Sequence, residues 1–350
     1  MSEIADRLIA WYATDGRDLP WRRTRDPYRI WLSEVILQQT RIAQGLDYYL
    51  RFVERFPNVE MLAAASEDEV LKLWQGLGYY SRARNLHAAA RQIVARHGGR
   101  FPTDYAAVRA LRGVGDYTAA AVCSFACDAP LAVVDGNVFR VLSRLFDVDL
   151  PIDTGEGRRA FAELAAGQLD VRRPSLYNQA IMDFGALRCT PANPCCDGCP
   201  LEDRCLARAA GTVARRPVKA GRTQVRPRHF NYLHLECDGC FALLRRPQGD
   251  IWQGLYDLPL IESVRPLDFT ELIATDDFHR LLGAVPYRLL ESVRMPEHRL
   301  SHRTLYAVYH RLALDRWPAA AAGWRIVGLG ESGEYAVPRL LERYFERCGG

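Results

Sequence analysis

Leu111-Arg112-Gly113-Val114-Gly115-Asp116-Tyr117-Thr118-Ala119 brackets one valine with two glycines and runs at once into a helix-forming segment, Thr118 to Val122. A helix should end there in a tight hairpin and another begin. The second helix then presents its first backbone N–H groups, and with the helix dipole these suit a phosphate. About twenty residues on, Val133-Val134-Asp135-Gly136-Asn137-Val138-Phe139-Arg140-Val141-Leu142-Ser143-Arg144 sets Asp135 in a Gly/Asn turn. An amphipathic helix with Val138, Val141, Leu142 and Leu145 on one face should follow directly. A carboxylate thus stands beside a surface suited to a phosphate backbone.

Composition bounds the rest. With 350 residues, 25% of them charged and 49% hydrophobic, the chain has room for two domains. The longest apolar run, Thr118–Cys127, is stopped by Asp128 and is too short to span a membrane. Acidic Glu3 and Asp6 at the start do not fit a signal peptide, so the sequence reads as cytoplasmic, nucleoid-associated protein. A net charge of +4 is too small to demonstrate a nucleic-acid partner. Lys72 and Lys219 are the only lysines among 46 basic residues. Ten cysteines in such a chain argue for metal rather than disulfides, and five of them fall between Cys189 and Cys205.

Residues 1–210 read as helices. Asp26-Pro27 is a helix start, with the acid as cap and proline in the first turn. The helix after it is mostly apolar yet contains Glu34. A single glutamate in a helix usually faces solvent, but Trp31, Val35, Leu37 and Gln38 leave little room for a solvated face. A partly desolvated carboxyl there would keep its proton near neutral pH, as a general acid must. Further on, Gly76, Gly78, Tyr79 and Tyr80 precede Arg82, Arg84 and a helix predicted over Asn85–Arg96. Aromatic rings among cations suit insertion between bases, although a tyrosine pair capping a helical core reads equally well.

Cys189, Cys196, Cys199 and Cys205 form C-x6-C-x2-C-x5-C in loops shaped by proline and glycine. Four such thiolates satisfy either tetrahedral zinc or a [4Fe–4S] cluster. Cys195 is given no ligand role. From 211 to 229 there is no acid, and Arg215, Arg216, Lys219, Arg222, Arg226 and Arg228 mark a basic, extended, solvated linker. The period then changes. Residues 230–237 and 240–246 flank Asp238-Gly239, a hairpin signal that makes Cys237 and Cys240 cross-strand neighbours. A second hairpin spans 287–314 with its loop at 296–302, and 338–347 reads as a closing amphipathic helix. Residues 230–350 therefore read as a separate α/β domain.

Together, Leu19–Arg22, Trp31–Thr40, Trp74–His87, Leu111–Ala119, Val134–Arg144, Asn178–Ala186 and the four cysteines resemble the adenine DNA glycosylase (MutY) family of the helix-hairpin-helix superfamily that includes endonuclease III. The resemblance covers nearly the whole chain. It implies an all-α helix-hairpin-helix glycosylase domain with an iron–sulfur loop, followed by a Nudix-like α/β domain that reads 8-oxoguanine. It also implies a [4Fe–4S] cluster on Cys189, Cys196, Cys199 and Cys205, with Tyr117 and Asn137 orienting the catalytic carboxylates. Arg22, Gln39, Tyr79, Gly113 and Gly115 become DNA contacts, Gln39 and Tyr79 as wedges. Leu300, Ser301 and His302 fall on the family's Phe-Ser-His lesion motif, where Leu300 removes an aromatic contact. Endonuclease III-type enzymes carry a nucleophilic lysine two residues after the second hairpin glycine. Tyr117 stands there, so little or no strand cleavage is expected.

The implied partner is duplex DNA with adenine opposite 8-oxoguanine or guanine, and a monomer suffices. The chemistry can be argued independently. Adenine leaves only once its five-membered ring is protonated, and the sugar becomes cationic as the bond breaks. One carboxyl must donate a proton while another stays ionised, which assigns Glu34 as acid and Asp135 as stabiliser. The target base must leave the helical stack to reach them. The sequence admits three rival readings: a thymine-mismatch glycosylase, a non-catalytic lesion sensor, and a working nucleotide hydrolase in residues 230–350. The last needs an acidic R-E-x-x-E-E helix, which nothing after Trp252-Gln253-Gly254-Leu255-Tyr256 supplies.

Overall fold

The computed structural model describes residues 3–221 and 225–348. As far as Ala209 the chain is helical. In order come α1 (Glu3–Asp15), α2 (Pro27–Leu37), α3 (Ile42–Arg55), α4 (Val59–Ala64), α5 (Glu67–Trp74) and α6 (Ser81–His97). They are followed by α7 (Tyr105–Arg109), α8 (Asp116–Cys127), α9 (Gly136–Leu145), α10 (Gly155–Gln168), α11 (Pro174–Leu187) and α12 (Leu206–Ala209). Asp26 caps α2 by accepting from the Tyr28 N–H, with proline in the first turn. Helix α6 begins at Ser81, earlier than its apolar period suggested. Among the described residues no helix is long and apolar enough to cross a membrane.

The chain forms two compact units that are not consecutive halves. One holds residues 3–64 and 85–221, the other 65–84 and 225–348. Residues 65–84, expected within the helical domain, join the second unit because α5 bonds into it. Arg245 donates to Glu67 (3.0 Å) and Asp68 (2.9 Å), the Tyr256 hydroxyl donates to Asp68 (3.0 Å), and Arg84 donates to the Gln253 carbonyl (2.6 Å).

In the first unit, Val138, Val141, Leu142 and Leu145 of α9 are buried against Leu8, Phe161, Ile181 and Phe184. Each contributes about 1.5–3 kcal/mol through burial, so α9 is fixed and its N-terminal residue has a definite place. Residues 211–221 lie against this unit rather than being solvated. Val218 accepts from the Ile152 N–H (3.0 Å), Asp153 accepts from the Ala220 and Gly221 N–H groups, and Arg216 donates to Asp147 (2.9 Å). Arg222 lies outside the described residues, and Arg226 and Arg228 already belong to a strand.

The second unit is built on β1 (Arg226–Cys237), β2 (Cys240–Arg245), β3 (Tyr256–Asp257) and β4 (Leu260–Ser263), then α13 (Phe269–Ile273) and α14 (Asp276–Leu282). After these come β5 (Tyr287–Arg294), β6 (His298–Arg299), β7 (Arg303–Leu314), β8 (Arg325–Gly328) and α15 (Arg339–Cys348). The order is β3-β2-β1-β7-β5, with β1 and β7 parallel and the other pairs antiparallel. Cys237 pairs with Cys240 across the first hairpin, as Asp238-Gly239 predicts. Leu233, Leu235 and Leu312 face α13 and α14. Tyr232, Tyr309 and Tyr344 stack at centroid distances of 4.6 and 4.0 Å, joining β1 and β7 to α15. After Tyr256, Glu262 pairs with Arg228, and Glu271 belongs to the capping box of α13.

Candidate active site

A cleft of about 920 Å³ in the first unit is lined by Glu34, Tyr117, Asp135, Asn137 and Arg22 together. Residues from three separate stretches, 22–34, 117 and 135–137, thus line one cleft. Glu34 comes from α2, whose neighbours Ile30, Trp31, Val35 and Ile36 are buried, and is itself only 8% exposed. Burial pushes its carboxyl up to about 7. The Tyr117 hydroxyl, donating to Glu34 Oε2 at 2.8 Å, and the nearby Arg22 work against that rise, while Asp135 reinforces it. Burial and the neighbouring Glu34 hold the Tyr117 phenol well above its ordinary value, so it remains a donor.

Asp135 is the N-cap of α9. Its Oδ1 accepts from the Asn137 and Val138 N–H groups (2.8 Å each) and its Oδ2 from the Asn137 side-chain amide (2.7 Å). Burial raises its carboxyl, and these three donors favour the ionised form. Asn137 is held in turn by Arg140, which donates to its Oδ1 (2.8 Å) and to the carbonyls of Gly185 (2.6 Å) and Cys189 (2.8 Å). Buried Asn178 fixes the preceding loop by accepting from the Val133 N–H (3.1 Å) and donating to the Leu131 carbonyl (2.8 Å).

Sequence reasoning missed part of the cleft. Asp183 is fully buried, and Arg22 and Arg17 both donate to it. Burial alone would raise its carboxyl, but the two guanidinium groups outweigh burial and hold it below the ordinary range. Gln179, one turn before Asp183 on α11, accepts from the Tyr12 hydroxyl (3.1 Å) at the cleft wall. The available signal was a glutamine and an aspartate four apart on α11, positions that share one helix face.

In the hairpin, Gly113 has φ +76°, and a side chain there would strike Asn85 Cβ at 2.6 Å. Gly115 is the N-cap of α8, with nothing within 4 Å of where a side chain would stand. Gln39 and Tyr79 are exposed and hold φ of +57° and +48°, Gln39 in the first unit and Tyr79 in the second. Also in the second unit, Leu300 is half-buried while Ser301 and His302 are exposed at the tip of a turn closed by the Leu300 N–H on the Arg303 carbonyl (2.8 Å).

Cys189, Cys196, Cys199 and Cys205 surround one small pocket against α9, and exposed Cys195 also reaches it. Arg144 donates to Cys189 Sγ at 3.4 Å and to the Thr190 carbonyl at 2.7 Å. Among the described residues no three His, Cys, Asp or Glu side chains converge on the position of a single metal ion. Tetrahedral zinc would require its thiolates at about 2.3 Å from one centre.

Residues 32–166 match the family described as HhH-GPD superfamily base excision DNA repair protein, and residues 231–347 match the NUDIX domain family. The solved structure of a thermostable thymine-DNA glycosylase is similar to this chain with a TM-score of 0.55 and 31% identity, covering 59% of this chain and 95% of that one. The adenine DNA glycosylase of Mus musculus is 33% identical over 98% of this chain and 78% of its own length. That of Buchnera aphidicola subsp. Baizongia pistaciae is 31% identical over 85% of this chain and 83% of its own. Two relatives of that similarity, each spanned over more than two thirds of its length, establish that the chain belongs to the adenine DNA glycosylase family.

Proposed function

We propose that the protein starts base excision repair by releasing adenine opposite 8-oxoguanine or guanine in duplex DNA, without cutting the strand itself. One observation carries this reading: the cleft holds two buried carboxyl groups that differ in their hydrogen bonds. Burial raises both, Glu34 up to about 7, but Asp135 accepts three hydrogen bonds that work against the rise and favour its ionised form. The flipped adenine takes a proton from Glu34 on its five-membered ring. Its bond to the sugar then breaks, the electron pair leaves with the base, and Asp135 stabilises the cationic sugar directly or as a transient ester. Water then bonds to the same carbon, displacing the Asp135 carboxylate where an ester has formed, and gives its proton to the Glu34 carboxylate, which restores the acid. Tyr117 donates to Glu34, so the position where a lyase keeps its amine instead orients the acid. Neither Lys72 nor Lys219 lines the cleft.

Gly113 and Gly115 leave the hairpin N–H groups open to a phosphate, Gln39 and Tyr79 act as wedges, and the turn at Leu300, Ser301 and His302 reads the base opposite. A single-turnover assay on both mispairs, scored with and without alkali, tests this. Adenine release that yields strand breaks only after alkali, faster opposite 8-oxoguanine, is the expected result. Breaks without alkali would overturn the monofunctional reading, and tight binding without release would make the protein a sensor.

The four cysteines around their pocket fit a [4Fe–4S] cluster, which the resemblance to the family favours over zinc. Bound there, the cluster would cross-link the 189–205 loop between α11 and α12 to itself through four covalent anchors. Protein isolated without air is expected to contain iron and acid-labile sulfide. Stoichiometric zinc in their place would overturn the assignment.

A further inference from the structure

The loop that presents Tyr79 is rigid by construction. Gly76, Gly78 and Tyr79 all hold positive φ, at +94°, +73° and +48°. The Trp74 indole donates to the Gly78 carbonyl (3.0 Å), the Tyr80 hydroxyl accepts from the Gly76 N–H (3.2 Å), and the Arg82 guanidinium lies 5.1 Å from the Trp74 ring and 5.7 Å from that of Tyr79. Such a loop cannot adjust by itself, so Tyr79 stands wherever the base of the loop is fixed.

That base is fixed to the C-terminal fold. Gln75 is the C-cap of α5, immediately before the loop. Lys72 donates to Gln75 Oε1 (3.1 Å) and to the Tyr335 carbonyl (3.0 Å), Gln75 donates to Glu342 on α15, and its Oε1 also accepts from the Val337 N–H (3.4 Å). The turn carrying Gly254 closes on the other side of α5: a side chain there would meet Leu71 at 3.0 Å and Glu67 at 3.2 Å. The lysine is half-buried, and its ammonium is engaged in this structure rather than free for chemistry.

We propose that Lys72, Gln75 and Glu342 are positioning residues that make the Tyr79 loop part of the C-terminal reader, so that the reader's fold sets where the wedge stands. This rests on the reading of Tyr79 as wedge and of 300–302 as the lesion contact. Preference for 8-oxoguanine over guanine then depends on the tether, whereas the chemistry at Glu34 and Asp135 does not.

The test compares single-turnover adenine release opposite 8-oxoguanine and opposite guanine for full-length wild type, Lys72→Met, Glu342→Leu and the conservative Lys72→Arg. Lys72→Met and Glu342→Leu, which leaves Gln75 without its acceptor, should each lower the preference for 8-oxoguanine by about ten-fold, the size expected for losing a hydrogen bond to a charged group. Release opposite guanine should stay as in wild type, and Lys72→Arg should keep the preference. Amide exchange should quicken at 76–80 and not at 116–127 in Lys72→Met. An unchanged preference in both disrupting variants overturns the tether, and so does equal slowing on the two substrates, which would mean general destabilisation. A wild type that releases no adenine, or shows no preference, fails the underlying function instead, and is told apart because it needs no variant.

Discussion

Glu34→Gln is expected to slow single-turnover adenine release by about 10³-fold, within the range for a positioned general acid, while duplex binding is retained. Glutamine keeps the shape and can still accept from the Tyr117 hydroxyl, so the variant removes the transferable proton and little else. The wild-type pH profile should show the same group. Burial holds Glu34 up to about 7, so the protonated fraction, and with it the rate, should fall as pH rises through that value. The folded protein keeps a proton that the unfolded chain loses at its ordinary 4.5, so wild-type stability should decline between about 4.5 and about 7. Above that window the deficit is about 3 kcal/mol, and Glu34→Gln escapes it. Thermal unfolding at about pH 8 should therefore place the variant above wild type, with the gap closing in acid as linkage requires. Retained turnover would remove Glu34 as proton donor, and a variant less stable in base would show that the ionised carboxylate is well accommodated.

Asp135→Asn should lose activity by about 10³-fold for a different reason, the removal of a fixed negative charge beside a developing cation. Asparagine can still cap α9 by accepting from the Asn137 and Val138 N–H groups, so folding should be preserved to within about 1 kcal/mol. Its amide NH2 would face the Asn137 side-chain amide, a donor against a donor, so that third hydrogen bond is lost, and no protonation state restores the lost electrostatics. The activity loss should therefore be flat with pH across the range where wild type works. A variant as active as wild type would mean that the sugar cation is stabilised elsewhere, with Asp183 excluded because Arg17 and Arg22 together leave that cluster net positive.

Local chemistry made much of this legible from sequence. Asp135 followed by Gly-Asn and an amphipathic period specifies an N-cap, and the structure has one. Glu34 among Trp31, Val35, Leu37 and Gln38 could be read as desolvated because helical spacing alone crowds it. The cysteine spacing likewise placed four thiols around one pocket. What stayed hidden depends on contacts that no local period encodes. Arg22 and Asp183 meet although 161 residues separate them, and Arg140 reaches Cys189 across 49. Residues 65–84 read as one more helical segment, since nothing in their composition reveals that Arg245 and Tyr256 hold Glu67 and Asp68. The linker failed in the other direction: an acid-free, arginine-rich stretch suggested solvation, but Asp147 and Asp153 supply the missing charge from elsewhere in the chain.

The double duty of Asp135, at once in the cleft and at the cap of α9, bears on how this fold drifts when selection on catalysis is relaxed. A descendant that no longer released bases would gain stability by exchanging Glu34 for an apolar side chain, because the buried acid opposes folding. It would lose stability by giving up Asp135, whose carboxylate holds the start of a helix that grips the cysteine loop. The glutamate should therefore disappear first and the aspartate persist in lineages that have fallen silent. Between the two, it is the less structurally useful residue whose retention marks a working enzyme.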